Sequence, residues 1–276
     1  MLPGFFSGGG KVDELSERDW NAVAYDDLSE PMFEWGMAVL GTLELRGDER
    51  VLDAGCGSGR LTEALLDRLP AGRVVALDSS PKMLEQARQR LAKFGERVEL
   101  VHASLQEFAL AQKVDGIFSN AVFHWVPDHR AMFRALHRAL RPGGWLVAQF
   151  GGVGNLARTF QRAHAVAAGE RFRERLRNVE DGPHFEDVAS TRERMETAGF
   201  RVSEAKRHTV VPGFEGKERY QAFLRTVVLR QAMAELPEAL RREFLEEISR
   251  RTWHEEGAYV LDYVRLTVRA TSSLIG

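Results

Sequence analysis

The stretch Asp53-Ala-Gly55-Cys-Gly57-Ser-Gly59 constrains this chain more than any other part of it. Its three glycines follow the short apolar run Arg50 to Ala54 and precede a helical pattern from Arg60 to Leu69. A turn this tight needs residues without a Cβ, so that backbone can approach a ligand closely and adopt left-handed geometry. The same strand-then-helix alternation continues downstream, the pattern of parallel βαβ units. Strands are expected at Arg73–Asp78, Arg97–His102, Val114–Ser119 and Trp145–Phe150. Between them, Ser80-Pro81 opens a helix with Met83, Leu84, Ala87 and Leu91 on one face. Asp128 caps another, carrying Met132, Phe133, Leu136 and Leu140, and Arg141-Pro-Gly-Gly144 turns it into the fifth strand.

After Gly151-Gly152 the pattern changes. Residues 155–180 read as helix, and a helix from Asp187 to Ala198 leads into a sixth strand at Phe200. Residues 216–251 read as two amphipathic helices separated near Leu236-Pro237, and Tyr259–Arg269 as a last strand. The expected fold is α/β: a Rossmann-like, seven-stranded, mostly parallel sheet with helices on both faces and a helical cap. The cap would be assembled from the N-terminus, residues 155–186 and residues 215–257.

Composition narrows the classes. At 276 residues the chain suits one large core plus an elaboration, given ~100–200 residues per domain. The 38 basic and 40 acidic residues give a net charge of −2, without the basic surplus that nucleic-acid binding normally needs. The single Cys56 excludes an intramolecular disulfide and a multi-cysteine zinc site, and no metal is expected. The first ten residues lack a basic segment and an apolar stretch of signal-peptide type. No window reaches the ~18 apolar residues of a membrane span. The expectation is a cytoplasmic protein, monomer or homodimer, that acts on a small molecule and not at a membrane.

Asp78, which ends the second strand 19 residues after Gly59, gives the glycine turn its meaning. A carboxylate there reaches the ribose hydroxyls of an adenosine lying across the strand ends. Dinucleotide sites use G-x-G-x-x-G, whereas here the glycines run G-x-G-x-G and Arg60 stands at the third glycine position. Such a bulky residue would obstruct close helix–sheet packing at that point. The acidic Asp53 before the loop suits a ligand with a cationic end. S-adenosylmethionine has an ammonium and a sulfonium where NAD has phosphates, so it is the favoured cofactor over NAD.

The chain at this point resembles the class I S-adenosylmethionine-dependent methyltransferases. Val51–Thr62 is similar to their first motif, Val75–Leu84 to their second strand, and Leu140–Val147 to their Pro-Gly-Gly turn. Phe118-Ser-Asn-Ala-Val-Phe-His-Trp-Val-Pro-Asp128 resembles the fourth strand and its loop in the trans-aconitate and malonyl-carrier-protein methyltransferase-like branch, whose members esterify carboxylates. The resemblance is specific across residues 48–152. It implies residues 1–44 as leader and cap helices, 45–152 as the S-adenosylmethionine-binding core, and 153–276 as cap plus the last two strands.

It also implies roles. Asp53 and the backbone of Gly55, Cys56 and Gly57 would hold the methionine end; Asp78 would hold the ribose, with Ser79 and Met83 bordering the adenine. Ser104 departs from the family's acidic residue at that place, leaving the Leu105 backbone for the adenine amino group. Asn120 would offer a carbonyl to the ammonium, Trp125 would floor the pocket, and Trp20 and Tyr25 would close over it. His124 is the candidate general base and Arg265 the candidate carboxylate anchor, while Tyr25 and Trp20, joined by Tyr263, are the candidates to shield the methyl group. Each has a structural reading beside it: Cys56 as a residue that fits the turn, Met83 as core, Arg265 as an ordinary paired strand arginine.

Carboxylate O-methylation is the favoured reaction, with carbon, nitrogen and hydroxyl acceptors open and an NAD-dependent reductase the rival class. In the cap, Phe214, Tyr220, Phe223, Leu224, Val227, Val228 and Met233 give one helix an apolar face. Packing and a hydrophobic substrate tunnel both account for it.

Overall fold

The inner strands of the central sheet are buried on both faces, and that dictates how the chain folds around them. The computed structural model describes residues 28, 30–177, 179 and 183–273; Trp20 and Tyr25 lie outside them. The strands are β1 (Arg50–Ala54), β2 (Arg73–Asp78), β3 (Val98–His102), β4 (Val114–Asn120), β5 (Leu140–Gly151), β6 (Phe200–Val210) and β7 (Tyr263–Ser272). They form one seven-stranded sheet in the order β3-β2-β1-β4-β5-β7-β6. β1 to β5 pair in parallel, and β7 runs antiparallel between β5 and β6. The order reverses between β1 and β4, the point where open α/β sheets leave a crevice at their carboxyl ends.

The helices are α1 (Glu30–Gly41), α2 (Arg60–Asp67), α3 (Pro81–Leu91), α4 (His129–Ala139), α5 (Ala157–Ala167), the single turn α6 (Arg173–Leu176), α7 (Val188–Thr197), α8 (Lys217–Phe223), α9 (Arg230–Glu235) and α10 (Glu238–Glu256). Alternate strand residues enter opposite cores. Leu52, Leu77, Ile117 and Phe150 pack with Phe133, Leu136 and Met195 on one face. Val51, Val74, Ala76 and Phe118 pack with Leu40, Leu65, Leu66 and Leu84 on the other. Such two-sided burial is why these strands read as apolar runs without alternation. A third cluster, with Tyr220, Phe223, Met233, Phe244 and Ile248, forms the interior of the cap.

The helix starts follow local chemistry. Ser80 Oγ accepts from the Met83 N–H at 3.2 Å. Asp128 Oδ1 accepts from Ala131 N–H at 2.9 Å, and Asp187 Oδ1 from Ser190 N–H at 2.8 Å. These are the N-cap bonds that such residues are favoured for. α5 has no cap of its own. Leu156 before it sits at φ +57°, and Asp262 reaches in from the approach to β7. That carboxylate accepts from Arg158 N–H at 2.7 Å and from both Thr159 N–H and Oγ1–H, at 3.2 and 2.8 Å.

Four boundaries differ from the sequence expectation. β5 starts at Leu140, because Leu140 already pairs with Val114 and Arg141–Gly144 form a bulge before Trp145 opposes Gly116. The helical stretch 155–180 is α5 and the single turn α6, broken at the Gly169 turn. The first cap helix is interrupted: Leu224–Val228 is a π-turn between α8 and α9. β7 begins at Tyr263, since Tyr259 is drawn into the cap, stacked 5.4 Å from Tyr220 and 5.0 Å from Trp253. Among the described residues, no helix is long and apolar enough to cross a membrane.

Gly116 in β4 lies under the Trp145 indole, and a Cβ there would come within 2.0–2.5 Å of the ring. Gly116→Ala is therefore expected to destabilise the protein by ~1–3 kcal/mol, the cost of overpacking. Urea denaturation measures this, and combining it with Trp145→Ala should give a total smaller than the sum of the single effects.

Candidate active site

The first half of the glycine loop is tied to β2. Gly55 N–H and Cys56 N–H both reach the Leu77 carbonyl, at 2.8 and 2.9 Å, and Gly57 N–H donates to Asp78 Oδ2 at 2.9 Å. Asp78 Oδ1 accepts from Ser80 N–H at 2.9 Å, so one carboxylate joins the loop to the start of α3. Gly55 has φ +86°, and a Cβ on it would strike Val122 at 2.3 Å. Gly59, at φ +85°, lets α2 approach α3, where Ala87 and Leu91 stand 3.2–3.3 Å from where its Cβ would be. The residue that serves close packing is thus Gly59. Arg60 is ion-paired with Glu30 at 2.7 Å and lies 4.0 Å from the Phe33 ring centre.

The loop borders a cavity of about 360 Å³ at the carboxyl ends of β1, β2 and β4. Asp53, Gly55, Cys56 and Gly57 line it from the loop, and Asp78, Ser79 and Met83 from the β2–α3 turn. Ser104 and Leu105 line it beyond β3, and Asn120 and Trp125 beyond β4. Every described residue expected at the cofactor therefore reaches one cavity. Of the remaining candidates, His124 and Arg265 line an adjoining chamber, and Trp20 and Tyr25 fall outside the described residues.

Asp53 is 2 % exposed, and its Oδ2 accepts from Thr62 Oγ1–H at 2.6 Å. Burial raises its pKa to about 7 against the Thr62 hydrogen bond, and the charge of Asp78 adds to the rise. A buried acid that is costly to ionise invites a cation. Asn120 points the same way: its Nδ2–H donates to the Met32 carbonyl at 3.1 Å, while Oδ1 is buried with no hydrogen-bond partner among the described residues. Burial pushes the Cys56 thiol up, so it is no nucleophile. Ser104 Oγ accepts from Gln106 N–H at 3.2 Å, which spends that hydroxyl in a local turn.

The adjoining chamber, about 40 Å³, shares Met32, Ala121 and Trp125 with the first cavity and adds His124, Asn155, Tyr263 and Arg265. Arg265 on β7 is 1 % exposed. Its Nε–H donates to Gln149 Oε1 at 3.3 Å, and its guanidinium lies 5.2 Å from the Trp35 ring centre. Trp35 also meets Tyr263 edge-on at 5.1 Å. His124 Nδ1 accepts from Gly151 N–H at 3.2 Å. Burial first, and then the charge of Arg265, hold the His124 pKa well below its ordinary value. The ring is therefore neutral with its proton on Nε2. With Nδ1 engaged by Gly151, the proton-bearing Nε2 is the ring's remaining polar atom.

Two non-glycine residues among those described have positive φ, Ala121 at +62° and Leu156 at +57°, and both line this chamber. Backbone in that region costs an alanine or leucine energy and tends to gather at functional sites. Sequence reasoning did not single out Met32, Phe33 and Trp35 of α1, nor Gln106, Ala121 and Asn155. The apolar run around Trp35 was a signal for α1, but its contact with β7 lies far along the chain.

Residues 51–144 match the family described as "Methyltransferase domain". A trans-aconitate 2-methyltransferase of Azoarcus sp. is 40 % identical over 130 residues, 47 % of this chain and 50 % of that protein. The chain thus spans about half the length of the curated relatives it matches. Among solved structures, Haemonchus contortus phosphoethanolamine N-methyltransferase 2 in complex with S-adenosylhomocysteine aligns with TM-score 0.58 and 17 % identity, over 91 % of this chain and 57 % of that one. Mycolic acid cyclopropane synthase CmaA1 aligns with TM-score 0.56 and 20 % identity, over 90 % and 87 %. The likeness of these structures is one of fold. Residues 51–144 of this chain are thus similar to a methyltransferase domain, set in a Rossmann-like α/β architecture.

Proposed function

We propose that this chain is an S-adenosylmethionine-dependent methyltransferase that esterifies the carboxylate of a small molecule. The observation that carries the reading is the buried Arg265, in a chamber that shares three wall residues with the glycine-loop cavity. S-adenosylmethionine fits the residues of that cavity: a buried acid, an acceptor in Asn120 Oδ1, a ribose-reaching Asp78 and an apolar border at Met83 and Leu105. Bound there, it supplies a methyl group on a cationic sulfur, open to in-line attack.

The chain's own residues do the rest. Asp53 and Asn120 would take the ammonium, and the loop backbone would fix the methionine end. Arg265 would anchor the acceptor carboxylate, for which a planar guanidinium is suited. His124 Nε2–H would donate to the same anion. A carboxylate is ionised at neutral pH and needs no base, in keeping with a neutral His124 whose Nδ1 is occupied. A phenol or alcohol would require one. Alignment and exclusion of water then supply most of the rate, up to ~7–11 kcal/mol for well-oriented partners. The near-zero net charge supports a small acceptor over nucleic acid. The protein would work as a cytoplasmic monomer or homodimer.

Calorimetry with S-adenosylmethionine and with NADH tests the cofactor, and binding of NADH alone would falsify the reading. Arg265→Ala should raise the acceptor KM about 10- to 100-fold, the worth of ~1.5–3 kcal/mol for a charged hydrogen bond. Cofactor affinity should stay intact, with Arg265→Lys recovering part of the loss; an unchanged KM removes Arg265 from the site.

Asp53 yields a pH prediction. Unfolded, it loses its proton near the ordinary carboxylate value; folded, it keeps it to about pH 7. Stability from this group is therefore complete below pH ~4 and is lost as pH rises through about 7. Asp53→Asn removes that loss. Thermal denaturation without cofactor should show the variant gaining on the natural protein from pH 4 to 7 and levelling above it, while its affinity for S-adenosylmethionine falls at least tenfold.

A further inference from the structure

We infer that the acceptor acid carries an apolar tail, seated in a cavity of the cap that continues the Arg265 chamber. This rests on the carboxylate reading above and names the class of acid. The cap cavity, about 120 Å³, is walled by Phe160, Ala163, Leu176, Val228, Ala232 and Phe244. Phe160 and Val228 also wall the chamber, so the two spaces lie side by side with these two side chains between them. The polar side chains on the cap cavity are His164 and Gln231, both exposed, and they mark its mouth. The acceptor path so inferred runs from solvent at His164 and Gln231, between apolar walls and past Phe160 and Val228, to the Arg265 guanidinium and the glycine-loop cavity.

That arrangement sorts acids by shape and charge. No Asp, Glu, Lys or Arg among the described residues lines the cap cavity. A second carboxylate pushed into it would lose its water without gaining a cation, a steep penalty. A hydrocarbon chain meets no such cost and gains about fourfold in affinity for each methylene buried.

The π-turn supports the same assignment. Leu229 N–H reaches the Leu224 carbonyl at 2.7 Å, the wide i→i+5 bond that inserts one residue into a helix. Its effect is to place the consecutive residues Val227 and Val228 on the chamber wall while Val228 and Leu229 wall the cap cavity. π-turns occur frequently at functional sites, and here one forms the junction between the two spaces.

The experiment compares butanoate, hexanoate, octanoate, decanoate and the tricarboxylate trans-aconitate as acceptors with S-adenosylmethionine. In parallel, calorimetry measures binding of the same acids to protein loaded with S-adenosylhomocysteine. The expected result is a kcat/KM that climbs about fourfold per methylene until the cavity is full, with trans-aconitate below octanoate. Ala167→Phe at the half-buried rim and Ala163→Leu in the wall should each cut the octanoate-to-butanoate ratio at least tenfold. Unchanged binding of S-adenosylmethionine serves as the check that they fold. Preference for trans-aconitate, with no gain along the monocarboxylate series, overturns the tail while leaving carboxylate methylation standing. If no acid is methylated yet binding still climbs with chain length and drops in Ala167→Phe, the tail cavity stands and the reaction assigned above fails. Binding and turnover both indifferent to chain length overturn the inference.

Discussion

The Leu77 carbonyl and the Asp78 carboxylate, at the end of one strand, hold the whole site in register. Between them they accept three consecutive loop N–H groups, those of Gly55, Cys56 and Gly57, and Asp78 extends to Ser80 at the start of α3. The loop is thereby ordered before any ligand arrives. Its glycines make this possible, since Gly55 must clear Val122 and Gly59 must admit α3. The electrostatic cost falls on Asp53, buried behind the loop and short of its preferred charge. A rigid frame with an under-ionised acid is suited to a cationic ligand and tolerates little else.

The acceptor side is built on a different principle. Where the glycine loop is a local device, the chamber collects residues from α1, the β4–α4 loop, the start of α5, the π-turn and β7. Arg265 is kept buried by a stack of nonlocal contacts, Trp35 on one side and Gln149 on another. Burial, and after it the Arg265 charge, hold His124 neutral, so a cation and a neutral donor stand together. Two strained residues, Ala121 and Leu156, are part of the chamber wall. Strain, buried charge and a π-turn all concentrate where the chain departs from the regular fold.

That contrast explains what could be read without coordinates. The glycine loop, Asp78, and the caps Ser80, Asp128 and Asp187 are encoded within a few residues of where they act, and they stand where the sequence puts them. The parallel pairing of the central strands follows from strand–helix alternation. Arg265 was visible as an arginine on a last strand, but nothing local says that Trp35, some 230 residues away, lies over it. The π-turn was invisible because Leu224–Val228 keeps the composition of an ordinary amphipathic helix. The bond from Gly151 that occupies His124 Nδ1 was illegible for a similar reason: it depends on how β5 passes the β4–α4 loop.

Asp262 gives the cap a mechanical link to the sheet. It supplies the start of α5 with the acceptors that helix lacks, and it sits three residues before Arg265 on the same extended segment. A helix of the cap and the buried guanidinium are therefore carried by one short length of backbone. The Leu156 N–H, bonded to the Asp262 carbonyl at 2.8 Å, doubles the attachment. The cap and the anion anchor behave as a lever and its fulcrum: the cap cannot swing away at α5 without dragging on the strand that presents Arg265.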